Sequence, residues 1–79
     1  MTARLPSIDA LLAFEASARS GSFELAAEAL HVSASAVAKR IAGLEDLLGV
    51  SLFTRAGKGL QLTPAGHDYL PQVREALAA

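Results

Sequence analysis

Apolar side chains recur at helical spacing from the start of this chain. Ile8, Leu11, Phe14 and Ala18 form the first stripe. Pro6-Ser7 opens that helix, with Ser7 as N-cap and Asp9 in the first turn, where a carboxylate meets the positive end of the helix dipole. Gly21 ends it, because glycine tolerates the left-handed conformation that follows a helix. Ser22 caps a short second helix with Glu24 near its positive end. Leu25, Ala26, Ala29 and Leu30 supply its small, tightly packing apolar positions. His31-Val32-Ser33 is long enough only for a turn. A third helix follows over about 34–48, capped by Ser33 or Ser35. Val37, Ile41, Leu44 and Leu48 fall at i, i+4, i+7 and i+11, a continuous buried face, and Gly49 stops it.

The period then changes. Leu52-Phe53-Thr54-Arg55 and Leu60-Gln61-Leu62 read as two short strands, joined by the hairpin turn Ala56-Gly57-Lys58-Gly59. Thr63-Pro64 starts a last helix as N-cap and first helical residue. Leu70, Val73 and Leu77 share one of its faces, and Pro71 should kink or break it. Two helices across a three-residue turn, followed by a hairpin, predict a mostly α winged helix-turn-helix. It has a three-helix core, a short β-hairpin wing and a C-terminal linker helix. Residues 1–62 are expected to form the winged unit and 63–79 the linker helix. Ala27 lets the second and third helices approach, and Leu30, Val32, Val37 and Ile41 fill the space between them. His31 stands where such a turn usually has glycine, so its backbone must be strained or the turn shifted.

Composition narrows the class. The chain has 79 residues, enough for one small domain. Hydrophobic types reach 52%, but 17 residues are alanine, which suits a compact helical core rather than a membrane segment. No run approaches the roughly 20 apolar residues of a bilayer span, and no signal peptide is visible. The absence of cysteine excludes disulfides and thiolate metal sites, and the cytoplasm is the expected compartment. Neither His31 nor His67 has an acidic cluster at ligand spacing, so no metal and no cofactor is expected. Net charge is −1, which alone argues against a nucleic-acid binder. The distribution argues the other way. Lys39, Arg40, Arg55 and Lys58 outnumber Glu45 and Asp46 in the middle of the chain, and acids prevail at both ends. A polyanion should be held by the middle.

The run from Phe23 to Glu45, FELAAEALHVSASAVAKRIAGLE, resembles the DNA-binding segment of LysR-type transcriptional regulators. So do Leu48-Gly49-Val50, Leu52-Phe53, Arg55 and Leu62-Thr63-Pro64-Ala65-Gly66, together with the opening Leu5-Pro6-Ser7-Ile8-Asp9-Ala10-Leu11 and Phe14. The resemblance covers nearly the whole chain. It implies a third helix in the major groove, a hairpin over the adjacent backbone or minor groove, and a last helix that pairs two subunits. It also implies a longer C-terminal effector-binding region that this chain lacks. A small-molecule effector would act only through that region.

Candidate contact residues follow from both lines. With the buried stripe of the third helix set to zero on a wheel of ~100° per residue, Ser35, Lys39, Ala42 and Asp46 fall on the far side. Only Ser35 and Lys39 lie in the first turns, the end that reaches base edges in helix-turn-helix docking. That end carries no carboxylate, leaving N–H groups for a phosphate. Family members commonly have Gln where this chain has Ala34, and Ser where it has Ala38; either alanine can still meet a thymine methyl. Arg40 borders the buried stripe. Ser22 and Ser33 are caps whose hydroxyls can also meet phosphate. Arg55 either pairs with a carboxylate such as Glu45 or contacts DNA, and Lys58 sits at the hairpin tip as a solvated residue or a phosphate contact. On the last helix, Leu70 should be partly shared with a second chain, and Val73 and Leu77 mostly intermolecular. The leading expectation is sequence-specific duplex DNA binding as a homodimer for transcription control. A protein-interaction module is the alternative. An enzyme is not expected, since no nucleophile–base pair, paired carboxylates or phosphate-cradling glycine loop is present.

Overall fold

A computed structural model describes residues 5–55, 57 and 59–79. Its order is α1 (Ile8–Ser20), α2 (Phe23–Leu30), α3 (Ala34–Leu48), β1 (Phe53–Arg55), β2 (Leu60–Leu62) and α4 (Pro64–Ala78). The strands pair antiparallel with Phe53 opposite Leu62, Thr54 opposite Gln61 and Arg55 opposite Leu60. This is the winged helix-turn-helix that the sequence predicts.

Each helix starts where a side-chain oxygen takes an orphan backbone N–H. Ser7 Oγ accepts from Ala10 N at 3.1 Å and Ser22 Oγ from Leu25 N at 3.1 Å. Ser33, not Ser35, caps α3, accepting from Ala36 N at 3.1 Å. Thr63 Oγ1 accepts from Gly66 N at 3.0 Å and donates to Ser51 O at 2.6 Å, tying the start of α4 to the chain entering the wing. Gly21 and Gly49 end α1 and α3 in the left-handed region, at φ 75° and 72°. His31 does the same for α2 at φ 58°, ψ 43°, and the Val32 N–H closes the turn on the Ala27 carbonyl at 3.1 Å. The turn keeps its shape, and the histidine carries the strain.

Ala13, Phe14, Ala16, Ala26, Val37, Ile41, Leu44, Leu52 and Val73 form the core. Alanines line the α1–α2 contact, so the helices meet closely there. Several expected core positions lie elsewhere. The buried arc of α1 runs through Ala10, Leu11, Ala13, Phe14, Ala16 and Ser17. Ile8 therefore falls on the opposite face, 62% exposed, beside Leu12. Leu25 and Ala29 are exposed because α2 turns Ala26 and Ala27 inward, and Leu48 lies one turn beyond Leu44, at the edge of the core.

The last helix is not broken at Pro71 and runs from Pro64 to Ala78. The proline removes one backbone hydrogen bond, but the turns on either side are held by packing. Tyr69 lies against Phe14 with ring centroids 5.5 Å apart, and Arg74 Nε reaches Glu15 Oε2 at 3.4 Å. Val73 follows Tyr69 by one turn on the same face, so it enters the domain's own core at 2% exposure. It offers nothing to a second chain. Leu70 and Leu77 are half-buried against that same core.

Candidate nucleic-acid interface

The entry of α3 projects from the turn after α2. Ser33 accepts the Ala36 N–H, which leaves the N–H groups of Ala34 and Ser35 for an anion at the positive end of the helix. No acid occupies that first turn. Ser35 and Lys39 are exposed on the flank that the wheel assigned to them, and the hydroxyls of Ser33 and Ser35 lie 3.2 Å apart. Ala34 is half-buried and packs on the core. Ala38 is half-buried too and borders a groove shared with Ala42, Phe23, Phe53, Leu60 and Arg55. Arg40 faces away from that groove, into a cleft with Pro6, Ser7, Ala10 and Leu47 at the start of α1.

The wing is fastened to α3 by a contact that sequence reasoning missed. Glu45 Oε2 accepts from Leu52 N at 2.7 Å and from Phe53 N at 3.4 Å. The carboxylate proposed as a partner of Arg55 is thus occupied by backbone. Arg55 instead stacks on Phe23, its guanidinium carbon 5.3 Å from the ring centroid. The signal available in the sequence was a carboxylate at the end of a helix just before an edge strand with unpaired N–H groups. Ser22 borders a second small groove with Phe23, Glu24 and Arg55. Its hydroxyl donates to Glu24 Oε1 at 3.2 Å, so it is engaged by its own helix. Lys58 lies outside the described residues.

The charges divide in the same way. Glu15 takes both Arg19, at 3.2 Å, and Arg74, at 3.4 Å. Among the described residues, these are the ion pairs, and Lys39, Arg40 and Arg55 have no carboxylate within salt-bridge distance. Also among the described residues, no group of three metal-capable side chains gathers, and no helix is long and apolar enough to cross a membrane. The structure brings Ser22, Ala38 and Arg55 around Phe23 and sets Ser33, Ser35 and Lys39 along one exposed flank of α3. Arg40 stands apart.

Helices α2 and α3 across a tight turn, followed by a short antiparallel hairpin, define a winged helix-turn-helix. Residues 8–67 match the model of the bacterial regulatory helix-turn-helix proteins of the lysR family, and the chain belongs to that family. It is 54% identical over 77 residues to the carbapenem-hydrolyzing beta-lactamase transcriptional activator of Enterobacter cloacae, covering 98% of this chain and 26% of that protein. The chain therefore spans about a quarter of that relative's length. Among solved structures, the CbnR_DBD–DNA complex superposes with a TM-score of 0.87 at 38% identity, covering 91% of this chain and 83% of that one. The BenM_DBD/benA site 1 DNA complex gives a TM-score of 0.87 at 28% identity, covering 91% and 81%. The relatives matched are named as transcriptional regulators rather than enzymes.

Proposed function

We propose that this domain binds duplex DNA sequence-specifically, as a homodimer, to control transcription in the cytoplasm. The observation that carries the reading is the entry of α3: a capped, acid-free helix end with Ser35 and Lys39 exposed and no carboxylate taking the lysine. The helix enters the major groove with Lys39 as base reader, guanine as its target and Ser35 beside it. Ser33 and the first N–H groups of α3 meet phosphate. Arg55, together with Lys58, holds the backbone or minor groove. Arg40 serves the rim, and Ala34 and Ala38 contribute shape and thymine-methyl contact only. With two polar readers missing, more of the affinity comes from phosphates and DNA shape. Binding across all single-base variants of a selected site tests this. Lys39→Ala should relax the preference at one base pair in each half-site. An unchanged preference would make Lys39 a phosphate contact alone.

Pairing uses α4 through Leu77 and the exposed edge of Leu70. Ile8 and Leu12 of α1 flank this surface, since they share a face with Glu15, which meets Arg74. Leu77→Asp should give monomers in sedimentation while the fold is retained. A parent that is already monomeric at high concentration would refute pairing by this domain. Effector control belongs to the region of the relatives that this chain does not span.

A further inference from the structure

Arg55 has no acidic partner among the described residues, yet its head group is held. Phe53 and Arg55 are two apart on β1, so they project to the same side of the strand. Both meet Phe23, the first residue of α2. The Arg55 guanidinium carbon lies 5.3 Å from the Phe23 ring centroid, and Phe53 meets that ring edge-on at 6.3 Å and 89°. Phe53 in turn rests on the fully buried Phe14 at 5.5 Å. The backbone fixes the same geometry. Leu60 N donates to Gly21 O at 3.1 Å, and a Cβ on Gly59 would lie 3.0 Å from that oxygen. The second wing strand is therefore pressed against the turn that leads into Phe23. A planar, weakly hydrated guanidinium stacks well on an aromatic face and keeps its N–H edges free.

We propose that Phe23 is a positioning residue for DNA binding. Its ring holds the Arg55 guanidinium at the turn end of β1, so the arginine meets a DNA phosphate or groove edge already ordered. An unrestrained arginine would lose its rotamer freedom on binding, which weakens the contact. This inference rests on the reading of Arg55 as a DNA contact.

The test is equilibrium binding to one fixed duplex over a series of salt concentrations. The proteins are the parent, Phe23→Leu, Phe23→Tyr, Arg55→Ala and the double variant Phe23→Leu/Arg55→Ala. Thermal melts show that each is folded at the assay temperature. Arg55→Ala should weaken binding and lower the salt slope by about one unit. Phe23→Leu should weaken binding about two- to fivefold, and Phe23→Tyr, which keeps the aromatic face, should restore it. In the Arg55→Ala background, Phe23→Leu should change nothing further. Equal losses in both backgrounds, or no loss in either, overturn the proposal while leaving the DNA contact of Arg55 intact. An unchanged affinity and slope for Arg55→Ala remove that contact and the proposal with it. Should Phe23→Leu be unfolded, the Arg55 Nε–H resonance of the parent decides. It should be shifted upfield by the ring, and a random-coil position overturns the proposal.

Discussion

Replacing Glu45 by alanine removes the acceptor that fastens the wing to α3. The stronger of its two bonds, 2.7 Å to Leu52 N, is charge-assisted and serves a residue whose side chain is fully buried. Such a bond contributes about 1.5–3 kcal/mol, and a stranded buried N–H costs a similar amount. The bond to Phe53 N, at 3.4 Å, is long and adds little. Alanine's better helix propensity returns a few tenths of a kcal/mol. The net loss is about 2 kcal/mol, which lowers Tm by roughly 8–16 °C in a domain of this size. Glu45→Gln keeps an acceptor without the charge and should lose about 1 kcal/mol. Denaturant unfolding followed by circular dichroism measures both, with the slope against denaturant unchanged. A Glu45→Ala protein within about 0.5 kcal/mol of the parent would refute the reasoning, because water would then serve those N–H groups as well as the carboxylate does.

Gly66→Ala should be more damaging. Its Cβ would overlap the Leu52 carbonyl oxygen and come within 2.8 Å of Leu62 Cδ2, so α4 must lift off the wing; a loss of about 2–3 kcal/mol is expected in the same assay. His31→Gly relieves a left-handed residue at φ 58° and should gain roughly 0.5–1 kcal/mol, seen as a higher Tm with DNA affinity unchanged. Ser17 is fully buried in α1, and among the described residues its hydroxyl has no hydrogen-bond partner. Ser17→Ala should therefore hold or raise stability by up to about 1 kcal/mol, and a clear loss on chemical denaturation would reveal a partner for that hydroxyl.

The parts of this fold that were legible in the sequence are those fixed within a few residues. Ser7, Ser22 and Thr63 as caps, Gly21 and Gly49 as stops, and the strained His31 all act through local backbone geometry. Contacts between distant elements were not legible. Periodicity placed Ile8 and Leu25 inward, but which arc of a helix is buried depends on the neighbours it meets. Apolar spacing marked Val73 as part of a stripe without telling whose core it enters. The Tyr69–Phe14 contact puts it in its own. Opposite charge suggested Glu45 for Arg55, whereas the edge strand's unpaired N–H groups compete better for that carboxylate, leaving the arginine to the Phe23 ring. In the candidate interface, the exposed flank of Ser35 and Lys39 followed directly from the wheel. Arg40, at the border of the buried stripe, needed the position of α1 to be placed.

Methylation interference on a duplex selected from a random-sequence pool tests the central claim most directly. Dimethyl sulfate marks guanine at N7, in the major groove, and adenine at N3, in the minor groove. With α3 in the major groove and Lys39 reading guanine, N7 methylation at one guanine in each half-site should block binding, and adenine N3 methylation should act only where the wing lies. Binding blocked by adenine methylation alone, or by neither mark, would contradict a recognition helix seated in the major groove.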